Sequence, residues 1–302
     1  MKPTIVVPLD GSENAEQALP YARALAQRSG GSLLLVSVVD IPVEFGAWSI
    51  ASAGMYGVEV EKWQLESENY LKRIASEQEG IDTATVVRLG SAAAEISEAV
   101  KSVENPVIVT TSHGRTGASR IFLGSVASKL VHDSECPILV IRIQESPSAV
   151  APTFDRVVVP LDGSEFSEAG LASAVAVFGE HLTLHLVRVI EIPTIPASGM
   201  ATGGMALNYG LIEEYMDATR DAANEYIQRM IEKLTADGHT VTGEVRDGLV
   251  ADAVHAIATE QNADAIAMAT HGRGGLGRIF LGSVAERVLH ETDRPLLLTK
   301  PR

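Results

Sequence analysis

Two clusters of residues in this chain have the chemistry of a phosphate-binding site, and each occurs twice. The first is Asp10-Gly11-Ser12, repeated as Asp162-Gly163-Ser164. The second is Thr111-Ser112-His113-Gly114-Arg115, with nine residues between Gly114 and Gly124-Ser125. Its counterpart is Ala269-Thr270-His271-Gly272-Arg273, with the same nine residues between Gly272 and Gly282-Ser283. Glycines lack a Cβ, so backbone N–H groups in such a loop can approach anionic oxygens closely. Gly124-Ser125 and Gly282-Ser283 stand where a helix is expected to begin. There the first N–H groups are unpaired and face the positive end of the helix dipole. Arg115 and Arg120, and Arg273 and Arg278, add cations to the same loops. Each piece has an ordinary structural reading as well. Gly-Ser before a helix caps it, Asp10 caps the helix that follows, the histidines are hydrogen-bonded turn residues, and the arginines are solvated. Co-occurrence, twice and at one spacing, favours a polyphosphate ligand.

Other chemistries fit less well. Gly272-Arg273-Gly274-Gly275-Leu276-Gly277 matches the dinucleotide fingerprint, but it follows a fourth strand, not a first, and Thr116 breaks it in the other copy. There is no Walker phosphate loop, no Cys/His cluster with metal spacing and no nucleophile elbow around a serine. We therefore assign no catalytic residue and no protein-held metal.

The elements that position these clusters follow from a long internal repeat. The segment from Val6 to Glu13 returns at Val158 to Glu165, and Arg120 to Ala127 returns as Arg278 to Ala285. One unit of about one domain's length is duplicated. Short β-branched runs at 4–9, 32–39, 84–89, 106–111 and 137–141 read as strands. They alternate with helical patterns at 12–28, 58–79, 95–103 and 125–133. Ser12 is the expected N-cap of the first helix and Gly30-Gly31 its end. The second copy repeats the order. Its strands are 156–161, 182–190, 240–246, 265–270 and 296–300, and its helices 164–178, 210–236, 251–261 and 283–291. Alternation of this kind predicts an α/β fold of two tandem doubly wound domains, each a five-stranded parallel sheet with helices on both faces. The expected domains are 1–143 and 154–302, with 144–153 as linker. Apolar irregular segments at 41–57 and 192–209 read as packing against a partner or as flaps over a ligand. Ligands in such sheets bind beyond the carboxyl ends of the strands, where strand order reverses, and both clusters follow strands.

The formal net charge of −15 disfavours nucleic-acid binding. A single cysteine, Cys136, permits no intrachain disulfide, and no stretch approaches a membrane span. With no long apolar leader at the start, we expect a cytoplasmic protein without membrane partners.

At these residues the sequence resembles the universal stress protein family in its tandem two-domain form. The family's ATP-binding members carry G-x-x-G-x9-G-[ST] after the fourth strand. Here Thr111 and Ala269 stand at the first glycine, and Gly114, Gly124-Ser125, Gly272 and Gly282-Ser283 match the rest. The resemblance implies binding of ATP, ADP or AMP, with Mg²⁺ reached through the phosphates. It implies that Asp10 and Asp162 lie near the nucleoside, and Ser12 and Ser164 are counted with them as nucleotide-binding residues. The backbones of Val38 and Val189 would read the adenine. The phosphates would be held by Gly114, Gly124 and Ser125, and in the second copy by Gly272, Gly282 and Ser283; Thr111, His113, Arg115, Val126, Ala269, His271, Arg273 and Val284 complete the expected nucleotide-binding residues. Because Thr111 is bulkier than Ala269, the second site is expected to be the stronger. The resemblance also implies antiparallel pairing of the two fifth strands in an intramolecular pseudo-dimer, and we expect such chains to form homodimers. The implied function is a stress-response or signalling module. A slow Mg²⁺-dependent ATPase and a dimerisation scaffold with vestigial sites are the alternatives.

Overall fold

The computed structural model describes residues 2–40, 53–113, 123–145, 151–191, 209–270 and 281–300. The first half runs β1 (Thr4–Pro8), α1 (Glu13–Glu16), α2 (Leu19–Ser29), β2 (Ser32–Val39), α3 (Ala53–Ser76), β3 (Thr83–Leu89), α4 (Ala92–Lys101), β4 (Pro106–Thr111), α5 (Ser125–Asp133) and β5 (Ile138–Ile141). The second half follows with β6 (Arg156–Pro160), α6 (Glu165–Phe178), β7 (Thr183–Ile190), α7 (Tyr209–Ala236), β8 (Thr240–Asp247), α8 (Val250–Glu260), β9 (Ala265–Ala269), α9 (Ser283–Glu291) and β10 (Leu296–Thr299). All ten strands lie in one sheet of order β3-β2-β1-β4-β5-β10-β9-β6-β7-β8.

Within each half every pairing is parallel, and the order reverses between β1 and β4, and between β6 and β9. Among the described residues the seam is the one antiparallel ladder. Leu297 lies opposite Leu139, with Leu296 opposite Val140 and Leu298 opposite Ile138. Leu139 and Leu297 are equivalent positions of the repeat, so the pseudo-two-fold passes between them. All four residues of β5 are buried. Left unpaired, β5 and β10 would be apolar edges open to aggregation, and the expected pairing is the one observed. The outer edges of the sheet are β3 and β8.

Neither core stops at the seam. One runs through Ile5, Leu25, Leu35 and Leu139 to Phe154, Phe178, Leu184 and Leu297 beneath the helices α2, α3, α6 and α7. The other joins Val6, Ile96, Ile108 and Leu130 to Val158, Val254, Ile266 and Val288 beneath α4, α5, α8 and α9. Phe154 and Phe178 stack with ring centroids 4.9 Å apart, and Tyr21 leans on Phe154 at 6.4 Å. Arg28, at the end of α2, donates to the carbonyls of Phe178 and Glu180 and pairs with Asp155. A cation from the first half thus satisfies the end of α6, where carbonyls lack helical partners.

Several expected elements need correction. The single helix over 12–28 is two. Pro20 has no N–H to donate to Glu16, and its ring crowds that carbonyl. α1 therefore closes with tight turns, Gln17 N to Asn14 O and Ala18 N to Ala15 O, before α2 begins. The second half has Ala172 at that place, and α6 is unbroken over 14 residues. α3 begins at Ala53, so residues 53–57 belong to it and not to an irregular segment; the rest of 41–57, and 192–208, lie outside the described residues. α4 begins three residues before its expected start. Ser12 does cap α1, accepting from Ala15 N, and Gly30 ends α2 with a left-handed φ of 62°.

The unbroken α6 is possible because Gly170 replaces the first half's Ala18. A Cβ there would stand 2.6 Å from the backbone nitrogen of Ala269 and 2.9 Å from the carbonyl carbon of Met268. No rotamer relieves a clash with backbone. We expect Gly170→Ala to lower stability by about 1 kcal/mol, since overpacking of ~1–3 kcal/mol exceeds the ~1 kcal/mol gained in helix propensity. An unchanged midpoint in urea unfolding would contradict this packing.

Candidate functional site

At each reversal of strand order a cavity opens beyond the carboxyl ends of the strands. The first has a volume of about 240 Å³ and is lined by Pro8, Leu9, Asp10, Ala15, Val36, Val38, Ala92, Ile96, Thr110, Thr111, His113 and Gly124 through Ala127. The second has about 490 Å³ and is lined by Pro160, Leu161, Asp162, Ser167, Val187, Arg188, Val189, Glu191, Val250, Met268, Ala269, Thr270 and Gly282 through Ala285. The two sequence clusters, about a hundred residues apart in the chain, therefore meet in one cavity in each half.

The aspartates are held from within their own turns. Gly11 takes φ 82° and Gly163 φ 75°, left-handed values that suit glycine. This lets Asp10 Oδ1 accept from the Ser12 nitrogen at 3.0 Å and from the Ser12 hydroxyl at 2.6 Å. Ser12 Oγ in turn accepts from Ala15 N at 3.2 Å. Asp162 accepts from Ser164 N at 2.9 Å and from the Ser164 hydroxyl, which caps α6 through Ser167 N at 3.2 Å. Asp162 N is also met by the Ser167 hydroxyl at 3.2 Å. Ser12 and Ser164 do not line the cavities; they fix the aspartates that do. Behind each turn a tyrosine adds a brace. Tyr70 donates to Glu16 at 3.0 Å, and Tyr226 donates to Glu168 at 3.1 Å. Burial, the bond to glutamate and its negative charge push both phenols well above their ordinary pKa, and Asp10 and Asp162 add to the effect.

Another part of each cavity wall is the start of a nine-residue helix, α5 or α9. Gly124 N donates to Ser112 O at 2.7 Å, and Gly282 N to Thr270 O at 2.8 Å. These bonds hook each helix start to the end of its strand. Gly124 and Gly282 are the N-caps, in extended backbone, and among the described residues no side chain caps either helix. The first-turn residues instead line the cavity. This leaves a positive helix end facing the space where an anion would sit. A Cβ on Gly124 would meet Ser112 O at 3.3 Å, so the cradle is built close.

The cavities differ at equivalent positions. Thr111 stands in the first where Ala269 stands in the second, and its hydroxyl donates to His113 O at 2.9 Å, stiffening the turn. Arg188 and Glu191 line the second cavity where the first half has Ser37 and Asp40. Arg188 donates to Leu161 O at 3.2 Å. Sequence reasoning overlooked Arg188 and Glu191, and also Ala92, Ile96 and Val250. These last residues come from α4 and α8, whose place over the sheet is a tertiary fact. Gly114, Arg115, Arg120, His271, Gly272, Arg273 and Arg278 lie outside the described residues.

His113 lies against Ser112 Oγ at 3.3 Å. Burial, and then the charge of Arg142, hold its pKa below the ordinary 6.5, so the ring is neutral at pH 7. The unfolded chain binds this proton more readily, so stability is lost as pH falls below the unfolded value of about 6.5. We expect the His113 ring to titrate below 6.5 by NMR. A midpoint at or above that value would contradict the environment described.

Comparison with known proteins agrees with the fold and the repeat. The model of the universal stress protein family matches residues 1–142 and again 153–300. A universal stress protein of Mycobacterium tuberculosis is 26% identical over 315 residues, covering 98% of this chain and 96% of its own. One from Methanocaldococcus jannaschii is 31% identical over 146 residues, covering 46% of this chain and 81% of its own. The crystal structure of a universal stress protein from Archaeoglobus fulgidus superposes with a TM-score of 0.68 at 23% identity, covering 98% of this chain and 96% of its own. The chain, with one family unit in each half, belongs to the universal stress protein family.

Proposed function

We propose that each half binds an adenine nucleotide, as ATP, ADP or AMP, and that occupancy alters the conformation or partner choice of a stress-response module. The observation that carries this reading is the doubled cavity, at the reversal of strand order, that an aspartate fixed by its own turn and a glycine-capped helix start both line. An acceptor at one end and N–H donors at the other suit a ligand with a polar nucleoside and an anionic tail. Asp10 and Asp162 take the nucleoside end, and the backbones of Val38 and Val189 the adenine edge. Gly124-Ser125-Val126 and Gly282-Ser283-Val284 take the phosphates, with Gly114, Arg115, Gly272, Arg273 and His271 of the intervening loops. Thr111 and Ala269 floor the two phosphate sites, and His113 serves as a neutral hydrogen-bonding group. Mg²⁺ would reach the site on the phosphate oxygens and water.

The second site is proposed as the stronger. Its cavity has about twice the volume, Ala269 intrudes less than Thr111, and cavities near 500 Å³ suit a small ligand. The domain limits of 1–143 and 154–302 belong to the same reading, each half carrying its own site. Association of two chains through exposed Trp63, Leu65 and Tyr215 is proposed as well. Among the described residues, no helix is long and apolar enough to cross a membrane.

Gly282 is the position that tests the reading. A valine there places a branched side chain at the helix start, where backbone must approach the phosphates. We expect Gly282→Val, in a chain whose first site is closed by Gly124→Val, to weaken MgATP binding roughly tenfold or more by calorimetry. Unchanged affinity would remove the helix start of α9 from the site.

A further inference from the structure

The helices that begin at the two candidate phosphate cradles end on cations supplied by the opposite half. Arg142, the residue after β5, donates to Leu289 O at 3.2 Å and to His290 O at 2.9 Å, the last turn of α9. Lys300, the residue after β10, donates to His132 O at 3.3 Å, in the last turn of α5. Arg142 and Lys300 are equivalent positions in the repeat, as are His132 and His290. The exchange is therefore reciprocal, and it follows from the antiparallel seam, which carries the end of each fifth strand across to the other half. Each nine-residue helix is about 14 Å long. Its first turn lines one half's cavity and its last turn is capped from the other half.

Arg142 also stands beside the first cavity. Ile141 O accepts from Ser112 N at 2.8 Å, which places the Arg142 backbone next to the Ser112-His113 turn. The Arg142 charge is felt by the His113 ring, which lines that cavity. Asp293, just past α9, attracts the same guanidinium. Arg142 thus has an anchor in the second half and a line of electrostatic attraction to any anion in the first cavity.

We propose that Arg142 is a positioning residue that couples the two sites negatively: an anionic ligand in the first cavity draws the guanidinium from the α9 carbonyls, and the second cradle loses its capped helix. This rests on the nucleotide reading above and adds its regulation. Coupling free energies are reciprocal, so a ligand in the second site weakens the first by the same factor. The expected factor is about fivefold, at the low end for linked sites because the pair is only partly buried.

The test is calorimetric titration of the full chain with MgATP in three forms: intact, Gly124→Val and Gly282→Val. The single-site forms give each site's own affinity. The product of those affinities, compared with the overall two-ligand constant of the intact chain, gives the coupling factor. The same set is then measured with Arg142→Met and with Arg142→Lys. Negative coupling of about fivefold, abolished in Arg142→Met and largely kept in Arg142→Lys, is expected. Raising the salt concentration to about 0.5 M should shrink the factor in the unsubstituted chain, because screening weakens a charge-borne coupling. A purely structural role for Arg142 would lower the melting temperature without changing the factor. Binding at two independent sites, or a factor indifferent to both Arg142→Met and salt, overturns the coupling and leaves the nucleotide reading intact. Absence of binding in every form overturns both.

Discussion

The antiparallel ladder between β5 and β10 is the constraint on which the rest of the structure depends. Three residue pairs, centred on Leu139 opposite Leu297, turn two five-stranded parallel sheets into one of ten strands. Because the ladder is antiparallel, the halves are related by rotation and not by translation. Each fifth strand then ends against the other half's helix layer, which is why Arg142 reaches α9 and Lys300 reaches α5. On the other face the same rotation brings α2 to α6, where Arg28 and the Phe154–Phe178 stack close the joint. Both hydrophobic cores cross the seam, so neither half is closed on its own.

Duplication under this rotation produces two cavities with the same parts and unequal furnishing. The shared parts are those that backbone geometry requires: a glycine in the left-handed region after the aspartate, and a glycine N-cap hooked to the strand end. The differences are side chains that those constraints leave free to vary, such as Thr111 against Ala269 and Ser37 against Arg188. Pro20 against Ala172, and Ala18 against Gly170, belong to the same pattern. One half breaks its first helix, and the other keeps it straight by removing a Cβ against the backbone of Ala269.

Much of the fold was legible because it is written locally. The repeat fixed the number of halves, β-branched runs marked the strands, and Ser12 and Gly30 marked a helix start and end. The pairing of the fifth strands was expected from the family resemblance, and the apolar residues of both strands agree with it. What escaped was whatever depends on two distant segments meeting. The break before Pro20 was open to the rule for proline, but the apolar pattern from Ala15 to Ala26 runs straight through it. Nothing local distinguishes Gly170 from any helical glycine, or Arg142 and Lys300 from solvated cations after a strand. For the candidate site, Asp10, Thr111 and Gly124 and their counterparts were recognisable because glycine and helix-start chemistry is local. Ala92, Val250 and Arg188 were not, because the walls they form come from helices and strands placed by the core.

The central claim is that these cavities hold an adenine nucleotide. Mass spectrometry of small molecules released on denaturing the purified full-length chain, after incubation with MgATP and removal of free ligand, tests it most directly. The account predicts adenine nucleotide released in amounts above one and up to two per chain, the second site filling first. Release of no nucleotide, at concentrations where a family-type site would be filled, would contradict it.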